Sequence, residues 1–100
     1  MVKHIILWNL KEEYSEDQKE EIKKEIKIHL EALKGQIPGL IDIKVVTEPL
    51  ESSNVDLMLD SSFESFDALK LYSTHPKHVE VADTYVRPYT AKRNCIDFEE

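Results

Sequence analysis

Apolar residues alternate with other residues at the start of the chain and then recur at helical spacing. From Val2 to Leu10 both alternating faces are largely apolar, which predicts a strand that is covered on both sides. Ser15 then begins a capping-box pattern with Gln18, and this pattern is typical of a helix N-terminus. The predicted helix buries one stripe and reaches its C-terminal glycine at Gly35; the stripe consists of Ile22, Ile26, Leu30, Leu33 and Ile37.

Three further segments carry periodic apolar residues. The segment 41–48 predicts a half-buried strand with Ile41, Ile43 and Val45 inward, and a third strand follows around Val55, Leu57 and Leu59. Residues 63–86 predict two short helical pieces separated at Pro76, because proline disfavours helical geometry at the preceding residue but suits a first helical position. Phe66 and Leu69, with either Ala68 or Tyr72, are expected on the inner side of the first piece. Residues 89–98 predict a closing strand.

The order of these elements is β-α-β-β-α-β within one expected domain, residues 1–100. This order is typical of the ferredoxin-like class, an α+β fold with an antiparallel sheet and helices on one face. Because the first strand is apolar on both faces, the sheet needs cover on the face without helices. The pattern therefore indicates a partner subunit.

The charge and the cysteine content of the chain exclude several classes of function. The chain has 20 acidic and 13 basic residues, a formal net charge of −7, and its basic residues are scattered. Binding to nucleic acid or to an anionic membrane is not expected, because both need clustered Lys and Arg. The single Cys95 permits no intramolecular disulfide and no Cys-based zinc site. No segment resembles a signal peptide or a transmembrane helix, so a cytoplasmic location is expected.

Several motifs together resemble the stress-responsive A/B-barrel (Dabb) domain family. They are VKHIILW at 2–8, IPG at 37–39, YSTHPKH at 72–78 and CIDF at 95–98. The resemblance covers essentially the whole chain in order, and the tyrosine followed by His-Pro-x-His is its most specific part. In that family two ferredoxin-like subunits pack their sheets face to face and close a β-barrel. The resemblance therefore implies a homodimer that forms a dimeric α/β barrel.

The resemblance also implies candidate site residues. Most members of the family have no assigned reaction, but a branch of plant polyketide cyclases catalyses an intramolecular aldol condensation. The catalytic pair of that branch falls on Tyr72 and on His78, the latter as general base, and His4 matches a further cavity histidine. Leu57 stands where the cyclases carry a third-strand histidine, so the polar lining is thinner here. The residues expected to line the cavity are His4, His75, Trp8 and Leu57.

Structural roles compete with catalytic ones at the same positions. His75 can cap the helix that follows Pro76, and His78 can satisfy a buried carbonyl. No metal is expected, because the His-x-x-His spacing of His75 and His78 has no third ligand nearby, and no cofactor motif is present. The leading interpretation is a homodimer of unassigned reaction with a cavity for a small hydrophobic or carbonyl-containing ligand. The alternatives are a cofactor-independent enzyme that uses His78 and Tyr72, and a purely structural module.

Overall fold

A computed structural model describes residues 1–100 and contains four strands and three helices. The strands are β1 (Val2–Leu10), β2 (Leu40–Val46), β3 (Leu57–Phe63) and β4 (Thr90–Glu99). The helices are α1 (Glu16–Glu31), α2 (Phe66–Thr74) and α3 (Pro76–Val81), followed by a π-helical turn (Ala82–Val86) and a 3-10 turn (Arg87–Tyr89). The sheet has the order β2-β3-β1-β4 with antiparallel neighbours. The predicted ferredoxin-like α+β fold is confirmed. None of the helices is both long and apolar enough to cross a membrane.

The core lies between the sheet and its helices. Alternate residues of β1 are buried on this side, as are Leu57, Leu59 and Phe63 of β3. From α1, Ile26 and Leu30 pack onto them. The buried residues of β1 are Val2, His4, Ile6, Trp8 and Leu10. Four of these five are apolar, so His4 is the polar exception among them.

The opposite face of the sheet carries no helix and combines an apolar strip with the ion pair of Lys3 and Asp60. On this face Ile5 lies opposite Ile96, and Leu7 lies opposite Met58. Ile96 and Phe98 of β4 are 59% and 42% exposed. A strip of large apolar side chains is therefore open to solvent in the single chain, which is the surface for which the sequence predicted a partner.

Helix α1 begins as predicted but ends earlier. The Ser15 hydroxyl accepts from the backbone of Gln18, and the Gln18 side chain accepts from the backbone of Ser15. The helix stops at Glu31 rather than near Gly35. The chain then continues in tighter turns, in which backbone N–H groups donate three residues back. These turns keep Leu33 and Ile37 buried without extending the helix.

Two side-chain orientations differ from the prediction. Ile41 is 41% exposed because the pairing of β2 with β3 shifts between Leu40 and Asp42, which turns Leu40 inward instead. Phe66 is 56% exposed at the first position of α2, where only Leu69 and Tyr72 of that helix are buried. In addition, β3 begins at Leu57 and extends through Phe63, which the sequence had assigned to the helical region.

Gly39 sets how closely α2 packs against the loop before β2. A Cβ atom at this position would lie 2.5 Å from the Cβ of Ala68 in α2, and the backbone φ angle is +84°. The Gly39 carbonyl also accepts from the backbone N–H of Glu64 at 2.9 Å, just before that helix. The absence of a side chain at Gly39 therefore fixes the position of the helix that carries Tyr72.

Candidate active site between α2, α3 and the sheet

The predicted break at Pro76 is confirmed, and it brings two helix ends together. His75 takes an extended conformation before the proline, ends α2 and caps α3. Its backbone N–H donates to the carbonyl of Tyr72 at 3.1 Å, and its Nδ1 accepts from the backbone N–H of Lys77 at 3.1 Å. His75 thus acts as the capping residue that the sequence offered as its structural role.

The chain reversal at this break places Tyr72 against His78. Their ring centroids lie 4.2 Å apart at an interplanar angle of 38°. Nδ1 of His78 lies 3.3 Å from the carbonyl oxygen of Ser73. Because a carbonyl oxygen only accepts, Nδ1 must carry the proton that it donates. In the neutral ring, Nε2 therefore carries a lone pair, as a general base requires.

Tyr72 presents a buried hydroxyl that has no hydrogen-bond partner in the protein. The residue is 1% exposed, and its ring packs against Phe63 at a centroid distance of 4.9 Å. Burial raises the pKa of the Tyr72 phenol far above its usual value, which Arg93 only partly opposes. The hydroxyl therefore keeps its proton and is available as a hydrogen-bond donor. A buried polar group left unpaired is uncommon, and it marks a position where a ligand atom can bind.

Burial has the opposite effect on His78. Removal from water lowers the pKa of the imidazole, and the cations Arg87 and Arg93 act in the same direction. The hydrogen bond to Ser73 opposes them, but the net direction is downward. His78 is therefore neutral at pH 7, with Nε2 free to accept a proton.

Tyr72 and His78 line one cavity of about 160 Å³. Its apolar wall consists of Ile6, Trp8, Leu30, Leu59, Ala82 and Val86, and its polar wall of His4, Tyr72, Ser73, His78, Arg87, Thr90 and Arg93. Ser73, Arg87 and Arg93 are exposed, so the cavity reaches the protein surface on their side. A dry cavity of about 150 Å³ engineered in another protein admits benzene. The volume here therefore fits a single ring, with larger substituents extending outward.

Four of the six predicted site residues meet at this cavity. His4, Trp8, Tyr72 and His78 lie in its wall. The other two do not. His75 points its Nδ1 back to the backbone of α3. Leu57 is fully buried in the core beside Trp8, its partner on β1, while Leu59 on the same strand reaches the cavity instead.

Sequence reasoning missed the cationic part of the wall. Arg87 and Arg93 are the two arginines of the chain, and both line the cavity. Arg93 lay within the predicted closing strand 89–98 without an assigned role at the site, and Arg87 was not considered. Their convergence depends on the π-helical turn and on the pairing of β4 with β1, neither of which has a local signal. The available clue was compositional, since all other cations of the chain are lysines.

A cluster of three potential metal ligands, His4, Cys95 and Asp97, lies next to the cavity where β4 pairs with β1. Asp97 accepts a hydrogen bond from Nδ1 of His4, and the Cys95 thiol lies 3.5 Å from the same carboxylate oxygen. Their three potential ligand atoms lie within 4.8 Å of one another. Nitrogen, sulphur and oxygen donors are ligands that zinc accepts. Here the His4 nitrogen and the Asp97 oxygen already satisfy each other, so a metal ion would have to break that hydrogen bond.

Comparison with known proteins identifies the family. Olivetolic acid cyclase of Cannabis sativa is 33% identical over 100 residues, which cover 97% of this chain and 94% of the cyclase. A solved dimeric protein of unknown function from Bacteroides fragilis superposes with a TM-score of 0.91 at 29% identity, covering 99% of this chain and 95% of that one.

A more distant structure, hydroxynitrile lyase from Passiflora edulis, superposes with a TM-score of 0.72 at 19% identity over 97% of this chain and 90% of the lyase. At that identity the likeness shows the fold alone. The sequence model of the stress responsive A/B barrel domain matches residues 2–100. The chain therefore belongs to the stress responsive A/B barrel domain family.

Proposed function

We propose that this chain binds a small carbonyl compound in the cavity and removes a proton from the carbon next to the carbonyl. In this proposal Tyr72 donates a hydrogen bond to the carbonyl oxygen and Nε2 of His78 accepts the proton. The observation that carries the proposal is the Tyr72 hydroxyl, which is buried without a partner beside a histidine whose Nδ1 is engaged by Ser73. One group is set to donate and the other to accept.

The chemical step needs only these two side chains. The C–H electron pair moves into a new carbon–carbon double bond, the carbonyl π electrons move to oxygen, and the proton passes to Nε2. The product is an enolate, whose oxygen the Tyr72 hydroxyl stabilises, because a donor placed where charge develops lowers the barrier. An enolate is the nucleophile for ring closure onto a second carbonyl, and the cyclase of Cannabis sativa is named for a ring-forming reaction.

The experiment follows proton exchange in a defined probe, acetophenone. In D2O, a base that removes a methyl proton leaves deuterium in its place, which NMR detects directly. We expect wild-type protein to accelerate exchange above the buffer rate and His78→Asn to lose about 10²- to 10⁴-fold of that rate. Asparagine can still donate to the Ser73 carbonyl but has no Nε2 lone pair.

The matched control is His75→Asn. His75 caps α3 through its side chain, and asparagine is among the best capping residues, so exchange should continue. Full exchange by His78→Asn would contradict the assignment of the base. Bound acetophenone without any wild-type exchange would instead support a second candidate, a binding protein without turnover. That candidate is favoured by position 57, where the resemblance places a histidine in the cyclases and this chain has a leucine buried in the core outside the cavity.

We further propose that the chain forms a homodimer through the sheet face opposite the helices. The exposed Ile96 and Phe98 on that face gain cover when a second sheet packs on them. The solved relative from Bacteroides fragilis is dimeric, which supports a dimer here. Because the cavity lies on the helix side of the sheet, each subunit would keep its own site.

A further inference from the structure

The wall of the cavity differs in charge from the rest of the protein. The chain contains 20 acidic residues and has a formal net charge of −7. None of the 13 residues that line the cavity is acidic, and both arginines of the chain are among them. The side chains that line the cavity therefore carry positive charges only, while the carboxylates of Asp83 and Asp97 contact Arg87 and His4 from outside the lining.

The two arginines differ in their partners. Arg87 forms an ion pair with Asp83, four residues earlier in the π-helical turn. Arg93 forms no ion pair with a carboxylate of the chain. It lies on β4 opposite Trp8 of β1, and Trp8 is also part of the wall. One guanidinium without a carboxylate partner, with the Cys95 thiol beside it, thus lies at the exposed side of the cavity.

We infer that the natural ligand carries a carboxylate that Arg93 binds at the cavity mouth, so that the substrate class is a keto acid whose carbonyl reaches Tyr72. This inference rests on the proposed function of the same site. A guanidinium offers parallel N–H donors that match the two oxygens of a carboxylate, whereas a lysine ammonium offers only a point charge. Arginines at this position, rather than the lysines found elsewhere on the surface, fit such recognition. Arg87 adds weaker attraction, because Asp83 offsets its charge.

The test compares aryl ketones that differ only in charge. The charged probes are 3-acetylbenzoate and 4-acetylbenzoate, and the neutral probes are 4-acetylbenzamide and acetophenone. We expect wild-type protein to bind the better acetylbenzoate roughly tenfold more tightly than the benzamide, as charge-assisted hydrogen bonds exceed neutral ones. Arg93→Gln should abolish this preference, so that the variant binds the acetylbenzoates no more tightly than the benzamide.

The matched control is Lys92→Gln, which removes the same charge from the neighbouring residue of β4. Lys92 lies outside this cavity, and alternate strand residues point to opposite faces, so the preference should persist. Equal loss in both variants would overturn the inference, because net charge alone would then explain it. A preference that survives Arg93→Gln would overturn it as well.

A failure of the proposed function would give a different pattern of probe binding from a failure of the carboxylate inference. If acetophenone and 4-acetylbenzamide bind and depend on Tyr72, but the benzoates gain nothing, the carbonyl site stands and the carboxylate inference is wrong. If none of the four probes binds wild-type protein at millimolar concentration, the proposed function is wrong and the inference fails with it. Arg93 is exposed, so its substitution should leave the fold intact; Arg93→Lys, expected to retain part of the preference, provides a second variant.

Discussion

The rings of Tyr72 and His78 lie 4.2 Å apart, although one belongs to α2 and the other to α3. In an unbroken helix, residues six positions apart are separated by about 9 Å along the axis and do not share a face. The break at Pro76 removes this separation, and the hydrogen bond from His78 to Ser73 fixes the imidazole against the end of the preceding helix. The proximity of the proposed acid–base pair therefore results from the interruption between the two helices.

Tyr72→Phe should not destabilise the ligand-free protein. The hydroxyl has no partner in the protein, so its removal costs no hydrogen bond and relieves an unpaired buried group, which makes the change neutral or stabilising by up to about 1–2 kcal/mol. Urea denaturation measures the free energy of unfolding. A loss of more than about 1 kcal/mol would show that the hydroxyl has a structural partner. The same variant should bind acetophenone more weakly.

His78 should make stability depend on pH below about 6.5. Its pKa in the folded chain is lowered from the value of 6.5 by burial, so between the two values the unfolded chain binds a proton that the folded chain does not. The free energy of unfolding therefore falls as the pH falls from about 6.5, by at most about 1.4 kcal/mol per pH unit. Above about 6.5 neither state holds this proton, and the effect is absent.

The comparison of wild-type protein with His78→Asn isolates that contribution from those of the carboxylates. Urea midpoints at pH 7.5 and pH 5.5 should differ less in the variant than in the wild type. An identical pH dependence in both proteins would contradict the lowered pKa of His78.

Gly39→Ala should destabilise the protein more than Gly35→Ala. Both glycines have positive φ angles, +84° and +83°, but a Cβ atom meets Ala68 only at Gly39 and open space at Gly35. Backbone strain alone predicts a loss of about 1–2 kcal/mol for Gly35→Ala. Gly39→Ala adds a displacement of α2, which should also weaken ligand binding through Tyr72. Equal losses in thermal unfolding would show that the contact with Ala68 is easily relieved.

Local signals explain which parts of the fold were predictable. The cap at Ser15 and the break at Pro76 depend on neighbouring residues, and both lie where the sequence placed them. The outward turn of Ile41 depends on a bulge in the pairing with β3, which periodicity within one segment does not reveal. An unbroken alternation would have placed Ile41 on the buried face.

The residues of the candidate site, too, were predictable only where the sequence signal was local. Tyr72 and His78 were found through a contiguous motif, whereas Arg93 reaches the cavity only because β4 pairs with β1 across most of the chain length. Leu57 and Leu59 alternate on one strand face, and only strand register against β1 decides which of them meets the cavity. Convergence of distant segments was therefore the missing information.

Ile96→Asp should dissociate the proposed dimer. The side chain is 59% exposed on the helix-free face, so a charge there costs little in one chain but would lie unpaired in the interface of two. Sedimentation velocity should show a monomer for this variant and a dimer for the wild type. Leu71→Asp is the control, because Leu71 is exposed on α2 on the other side of the sheet. Dissociation by both substitutions, or a monomeric wild type, would contradict the interface.

The central claim is that a ligand carbonyl accepts a hydrogen bond from the buried Tyr72 hydroxyl. Infrared difference spectra of acetophenone labelled with carbon-13 at the carbonyl, bound to wild-type protein and to Tyr72→Phe, test it directly. A hydrogen bond to the oxygen weakens the carbonyl bond, so the stretching frequency should be lower in the wild type than in the variant. Equal frequencies in the two complexes would contradict the claim.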